Sequence, residues 1–233
     1  MSLSTLSKLK LFNKPIIRDE VYNSVKEAIL TGRIAPGERL SVGRLIRNIG
    51  FSPTPIREAL LKLEQEGFVS RIPQKGGFIA SQLSKKDIDE IFDLRCLLEG
   101  HAVTFAVKYI TREDIAVLER NVKESEHYSL QKKFDKVSKL NTEFHDLLNG
   151  FCTNQRIISL INELRDQVFQ YRSIIIKVPG KAKVSTSHHK HMIEALRRKD
   201  GESLKMLIHQ HAMVGKEIIM TEIDKGNLKT IRG

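Results

Sequence analysis

The chain has few cysteines and no long apolar run, and these absences exclude whole classes of protein. Its 233 residues include only 2 cysteines, Cys96 and Cys152. Both lie in apolar sequence and are predicted to be small buried side chains, so a disulfide framework is not indicated. The sequence contains no run of about 18 apolar residues, so a membrane span is not predicted. Residues 1–11 contain lysines but no apolar core, so an ordinary secretory signal is not predicted and we expect a cytoplasmic protein.

Several marks of catalysis are also missing, while positive charge is abundant. The sequence shows neither a Ser/His/Asp order typical of a nucleophilic triad nor a glycine-rich loop of the kind that holds phosphates. The formal net charge is +11, and residues 1–80 hold 13 lysines and arginines against 7 acidic residues. This excess is denser there than in the rest of the chain. The distribution favours a polyanionic partner for the N-terminal part.

Residues 34–69 are the most informative segment, because they predict two helices joined by a tight turn. Ser41 can cap a short helix that ends at Gly50 and has apolar residues at helical spacing, namely Val42, Leu45, Ile46 and Ile49. Ser52 can cap a second helix, and Pro53 is tolerated in its first turn. The second helix is predicted to stop near Gly67 and to bury a stripe made of Ile56, Ala59, Leu60 and Leu63.

The opposite side of this helical pair carries the candidate DNA contacts. Polar and basic side chains there can reach base edges or phosphates, and the set is Arg33, Arg44, Ser52, Thr54, Arg57 and Lys62. Two β-prone runs, 68–72 and 77–80, flank the turn 73–76 and predict a small hairpin. Its candidate contacts are Arg71, Lys75 and Gly76, which would approach the phosphate backbone or the minor groove.

These residues carry a resemblance to a known family. The segments 32–40 (GRIAPGERL), 53–60 (PTPIREAL) and 63–69 (LEQEGFV) are similar in order and spacing to the GntR family of bacterial transcriptional regulators. The run from Asp93 to Glu99 resembles the start of the all-helical effector domain of the FadR-type subfamily. The likeness covers roughly residues 15–225. It implies a winged helix-turn-helix over 1–80, a linker over 81–86, and an effector-binding and dimerisation domain over 87–233.

Two positions depart from the family pattern. Pro53 stands where the family usually has an arginine that reads a base, and Gly43 stands where another polar or basic contact is common. Arg44, one residue along, is an alternative for the second contact, but nothing replaces the first. We therefore expect an operator sequence that differs from the family's common one, or an affinity that depends more on the wing and on phosphates.

From residue 84 onward the sequence is helical almost throughout, so the fold class is mainly α. The periodicity predicts about six helices, over 87–110, 111–127, 134–151, 153–177, 188–198 and 201–225. Residues 178–181 are predicted to form a loop. Short connections between such helices favour an antiparallel bundle.

All eight histidines lie in this helical part. His145, His189 and His211 share faces with apolar residues and are predicted to point inward, with Asn141 one turn before His145. His188, His191 and His209 are predicted to face water. Three imidazoles and one side-chain oxygen form a donor set that suits a divalent transition ion.

The resemblance extends to this set. In the metal-binding branch of the FadR-type domain, an Asp-x3-His pair and two further histidines fall on Asn141, His145, His189 and His211. Asn141 departs from the usual aspartate. Because its amide is neutral, we expect a lower metal affinity and leave open the preference among zinc, nickel and manganese.

The sequence predicts a homodimeric regulator, not an enzyme, that binds double-stranded operator DNA under the control of a small organic acid. Arg95 and Arg172 are candidates to hold the acid by bidentate hydrogen bonds, with a structural ion pair as the alternative for each. Two other functions remain open. An open three-histidine site can activate water, as in a metal-dependent hydrolase fused to a basic domain, although no general base lies beside it at helical spacing. A nucleoid-type protein would bind every duplex alike.

Overall fold

The structure is a computed structural model that describes residues 15–49, 52–72, 77–169, 171, 175 and 178–228. The chain divides into two compact units, the first ending at Ser81 and the second beginning at Gln82. None of the described helices combines the length and the apolar character that a membrane crossing requires.

The first unit combines three helices with a small antiparallel sheet. Its elements are α1 (Pro15–Leu30), β1 (Arg39–Leu40), α2 (Val42–Ile49), α3 (Pro53–Gln65), β2 (Val69–Arg71) and β3 (Phe78–Ala80). The predicted hairpin of β2 and β3 is confirmed, and β1 adds a third strand on the other side of β3. The prediction missed β1 because two residues carry no readable alternation. The turn 73–76 lies outside the described residues.

The hydrophobic core of this unit lies on the buried side of α3. The predicted stripe Ile56, Ala59, Leu60 and Leu63 is fully buried, and it packs with Val21, Val25 and Ile29 of α1. Burying such a stripe is what stabilises an amphipathic helix of this length. The packing leaves the opposite side of α3 exposed.

The two predicted serine caps behave differently. The backbone N–H of Arg44 donates to Ser41 Oγ at 3.1 Å, which confirms the cap of α2. Ser52 occupies the N-cap position of α3 with an extended backbone, but its side chain makes no capping hydrogen bond. An N-cap hydroxyl usually accepts from the third helical residue. That residue is Pro55, which has no N–H. The predicted N-cap position of Ser52 is confirmed, but its side chain does not cap the helix. Gly50 lies outside the described residues.

The second unit is helical throughout its described part, as predicted. Its helices are α4 (Lys85–Tyr109), α5 (Arg112–Leu130), α6 (Phe134–Gly150), α7 (Gln155–Gln167), α8 (Lys181–Arg197) and α9 (Gly201–Asp224). Helix α9 packs on α4 and α8, and α5 packs on α6 and α8. The main core cluster joins these helices around Phe144, Leu148, Met192, Leu196 and Leu204.

Several helix limits differ from the prediction, and three of them bear on the linker or the cavity. Helix α4 begins at Lys85, inside the expected linker, because Ser84 and Asp87 form a reciprocal capping box. Helix α8 begins at Lys181 instead of residue 188, directly after Gly180 with its positive φ of 81°. The prediction placed the start later because residues 181–187 are polar and contain serine and threonine. Helix α7 ends at Gln167, short of the predicted residue 177, but the described residues 169, 171 and 175 beyond it are also helical.

Candidate metal centre and DNA-binding surface

Three histidines from three helices meet inside the second unit. His145 of α6, His189 of α8 and His211 of α9 place one ring nitrogen each within 4.8 Å of the others. The Nε2 atoms of His145 and His211 are 3.2 Å apart. Two nitrogens that each lie about 2.0–2.1 Å from a tetrahedral zinc ion are about 3.3 Å apart. The pair therefore has the spacing of two ligands of one ion.

Packing holds these rings in place. His145 is 5% exposed and His189 is 1% exposed. The ring of His189 stacks on Phe144, with a centroid distance of 3.9 Å and an interplanar angle of 3°. Phe144 is itself fully buried in the main core cluster. Because the stacking fixes its ring plane, the orientation of His189 is set by the core before any ligand binds.

Asn141 lies beside this cluster as the fourth candidate donor. It is 5% exposed, and its Oδ1 atom accepts a hydrogen bond from Ser185 Oγ at 3.1 Å. Asn141, Ser185, His145 and His211 line the same cavity. A donor set of three imidazoles and an amide oxygen suits a divalent transition ion, but it supplies no negative charge.

The cavity offers about 70 Å³ of space to the centre of a water molecule. A single water needs roughly 10–15 Å³ by this measure, so the space suits a few waters or one small molecule. Its remaining wall is largely apolar and includes Phe92, Val168, Ile175, Val184, Ile218 and Ile219. None of the described lining residues is an aspartate or a glutamate. The described part of the wall therefore supplies no carboxylate to act as a general base.

His188 also lines the cavity, although the sequence analysis placed it toward water. It is half-buried, and its Nδ1 atom is buried without a hydrogen-bond partner in the part of the chain that the structure describes. Its ring centroid is 5.7 Å from that of His211. Burial, and then the charge of His191, lowers the pKa of His188. The prediction failed because α8 packs on both α5 and α9, which buries more of the helix than one apolar stripe. His191 and His209 are exposed, as predicted.

The two predicted effector arginines have different outcomes. Arg95 lines the cavity, but its Nε and Nη2 atoms both donate to Glu99 Oε1, at 3.1 and 3.0 Å. Glu99 is 2% exposed, so a buried carboxylate compensates the charge of Arg95. Arg172 lies outside the described residues. Lys181, which the sequence analysis did not select, lines the cavity as well.

On the first unit, the side of α3 away from the core carries Thr54, Arg57 and Lys62, all exposed. Arg57 borders a groove shared with Arg39 and Arg71. Arg39 was missed because it lies before α2, outside the helical pair. The groove combines three guanidinium groups, which suits a phosphate backbone.

Several predicted DNA contacts already have partners within the first unit. The Lys62 ammonium lies 3.9 Å from the centre of the Tyr22 ring, against α1. Arg71 Nε donates to Glu64 Oε2, and Arg33 Nη2 donates to Glu27 Oε1, each at 2.8 Å. Arg44 and Ser52 are exposed. Lys75 and Gly76 lie outside the described residues.

Gly43 is exposed on α2, at one of the two positions that depart from the family pattern. Among the described residues, a β-carbon there would meet only Arg47 Nη1, at 3.9 Å. Packing therefore does not require a glycine at this position.

Comparison with known proteins identifies the family. Residues 17–79 match the bacterial regulatory proteins of the gntR family, and residues 90–213 match the FCD domain. The chain belongs to the GntR family. An uncharacterized HTH-type transcriptional regulator of Bacillus subtilis, YdhC, is 30% identical over 193 residues, which span 82% of this chain and 86% of that relative. This GntR protein is a DNA-binding transcription regulator with an effector domain.

Two further likenesses agree. The HTH-type transcriptional repressor RspR of Escherichia coli K12 is 24% identical over 195 residues, which span 84% of this chain and 85% of that protein. The solved structure of E. coli McbR/YncC superposes on this chain with a TM-score of 0.76 and a sequence identity of 23%. The match covers 89% of this chain and 98% of that one. The second likeness supports the fold alone, a winged helix-turn-helix followed by a helical domain.

Proposed function

We propose that this GntR regulator is a homodimer whose affinity for operator DNA changes when a small organic acid binds beside a divalent metal ion in its second unit. The observation that carries the proposal is the pair of Nε2 atoms of His145 and His211, 3.2 Å apart at the wall of an otherwise largely apolar cavity. The effector and the ion would share this cavity.

The metal would be held by His145, His189 and His211, with Asn141 as the fourth donor. Zinc, nickel and manganese all accept imidazole and oxygen ligands. A bound ion would supply positive charge and open coordination positions for a carboxylate. Because all four protein donors are neutral, that charge stays uncompensated until an anion enters the cavity.

The DNA contacts would come from the exposed edge of α3. Arg57 and Thr54 lie where base edges are within reach when this helix enters the major groove. Arg39 and Arg44 flank the helix and would contact phosphates. We expect the operator to differ from the family's common sequence, because Pro53 and Gly43 provide neither of the usual contacts.

A homodimer would place two such helices on half-sites related by a two-fold axis. On the second unit, Leu97 of α4 is 72% exposed, and Leu94, one turn before it, is 50% exposed. Two exposed leucines on one helix face suit a self-complementary contact between copies. Leu97→Glu should therefore shift the chain toward the monomer in a size measurement.

The acid would act by shifting the population between two arrangements of the dimer, only one of which fits the operator. A change of occupancy from nearly full to nearly empty requires a preference of about 5.5 kcal/mol for one arrangement. The effector therefore has to make different contacts in the two states.

An operator selected from randomised duplexes provides the test. Its affinity for the protein would be measured by fluorescence anisotropy at fixed salt, with a panel of organic acids and with zinc, nickel or manganese. We expect at least one acid to change the affinity, and we expect a chelator or His211→Ala to remove that response. His209→Ala, an exposed histidine of the same helix, is the matched control. An affinity that no acid changes with any of the three metals contradicts the proposal.

The residues that line this cavity give little support to the alternative function, a metal-dependent hydrolase. The described lining residues include no carboxylate to act as the general base, so we propose regulation without turnover.

A further inference from the structure

The cavity of the second unit has a second polar edge that the metal centre does not use. Lys181, Ser185 and His188 of α8 all line it. They are spaced by four and then three residues, which places them on one face of the helix. Ser185 donates to Asn141 and so connects this edge to the metal side.

Lys181 brings a charge that no described residue compensates with an ion pair. It is half-buried, and no described carboxylate lies within ion-pair distance of its ammonium group. Arg95, the other cation of the cavity, is instead paired with Glu99. The first turn of α8 contains no acidic residue, and Gly180 contributes no capping side chain. Since the N-terminus of a helix is itself the positive end of its dipole, an anion is favoured at this edge.

His188 adds a hydrogen-bonding atom that lacks a partner. Its Nδ1 atom is buried without a hydrogen bond among the described residues. A buried polar atom without a partner is unfavourable, and a ligand that provides one is bound more tightly for that reason. His188 lies one turn after Ser185 and two turns after Lys181, so one ligand group can contact this edge at more than one point.

We propose that the effector is a short dicarboxylic acid that spans the cavity. One carboxylate lies at the His145 and His211 end, and the other lies against Lys181, with His188 within reach of the same ligand. The apolar wall between these two ends, which includes Ile218 and Val184, contacts the carbon chain. This inference rests on the proposed function, in which the cavity holds an acid.

Calorimetry on the full chain with equimolar zinc would test the ligand class. Malonate, succinate and glutarate would be compared with propionate, butyrate and valerate, the monoacids of matched length. A charge-assisted hydrogen bond to the second carboxylate should make the best dicarboxylate bind about tenfold more tightly than its matched monoacid. Equal affinities for diacid and monoacid would overturn the inference.

Lys181→Gln tests the residue. It should weaken binding of the best dicarboxylate about tenfold and leave the matched monoacid unchanged, because only the diacid reaches this edge. Lys183→Gln is the control, since Lys183 lies in the same turn but is exposed. If Lys181→Gln weakens neither ligand, or weakens both alike, the inference is wrong.

The failure of the inference and the failure of the proposed function give different results. If monoacids bind and dicarboxylates gain nothing, only the inference fails. If no acid of either kind binds, both fail. If circular dichroism shows that Lys181→Gln does not fold, the comparison of the two ligand series on the unmodified protein still decides the inference.

Discussion

The two units of this regulator present their candidate functional side chains in opposite ways. In the first unit, Thr54 and Arg57 extend from the exposed side of a helix whose other side is fully buried. In the second unit, His145 and His189 lie within the packed interior, one of them stacked on a core phenylalanine. Exposed contacts can therefore change without changing stability, whereas His189 of the metal centre packs directly on a residue of the core. Substitutions should separate stability from binding in the first unit and couple them in the second.

Phe144→Ala should give the largest effect. The side chain is fully buried, and truncation of such a phenylalanine lowers the free energy of unfolding by about 3–5 kcal/mol. The same change removes the surface on which His189 stacks, so zinc affinity should fall with stability. Chemical denaturation and zinc titration measure the two quantities. Leu118→Ala, another fully buried residue of the same core cluster, is the control. Unchanged zinc affinity in folded Phe144→Ala would separate the core from the metal centre.

Arg57→Ala should show the opposite behaviour. Loss of a side chain that reads a base costs about 1–3 kcal/mol of operator binding and relaxes specificity at that position. The thermal midpoint should stay the same, because Arg57 is exposed on α3. Lys62→Ala offers a comparison on the same helix. Since the Lys62 ammonium is held over Tyr22, we expect a smaller loss of DNA affinity than for Arg57. A larger loss for Lys62 would show that the contact with Tyr22 opens on DNA.

Asn141→Asp should strengthen the metal centre. An aspartate at this buried position adds the negative charge that the donor set lacks, and its carboxylate can still accept the hydrogen bond from Ser185. We expect metal affinity to rise by about tenfold, equivalent to about 1.4 kcal/mol. Competition with a coloured chelator measures it. Asn149→Asp, a buried asparagine two turns further along α6, controls for a new charge in this helix. An equal gain in both variants would exclude Asn141 as a specific donor.

The sequence predicted what depends on local pattern and missed what depends on packing. The stripe of α3 and the cap at Ser41 follow from spacing and residue type, and both are present. The inward position of His188 does not follow from its own helix, because α5 and α9 together decide how much of α8 is buried. The sequence likewise could not decide whether Arg95 pairs with a carboxylate or binds an effector. Four residues separate them, but only the structure shows that both are buried.

The role of Lys181 was not readable from the sequence for a related reason. Its stretch contains lysine, serine and threonine, which gave it the composition of a loop. Gly180 allows the chain to turn into α8 immediately before it, and the helix then carries Lys181 to the cavity edge. The sequence shows that residue 181 is a lysine, but the start of α8 determines that its charge lies at the cavity edge.

Thr111→Ala removes a local helix cap of the second unit and should have a smaller effect on stability than a core truncation. Thr111 caps α5, accepting from the backbone N–H of Asp114, while the Asp114 carboxylate accepts from the backbone N–H and hydroxyl of Thr111. Removing such a cap lowers the free energy of unfolding by about 1 kcal/mol at neutral pH. Chemical denaturation measures the loss, and Thr104→Ala, a threonine inside α4, is the control.

The capping box also predicts a pH dependence. The backbone and side-chain hydrogen bonds from Thr111 lower the pKa of Asp114 below its usual value. A carboxyl whose pKa is lowered by folding stabilises the protein above its unfolded-state pKa, near 3.9 for an aspartate, and this contribution disappears as the pH falls through the lower folded-state pKa. The stability difference between the unmodified protein and Thr111→Ala should therefore be largest above the unfolded-state value and shrink in acid. A difference that grows in acid would show that the carboxylate of Asp114 contributes nothing to the cap.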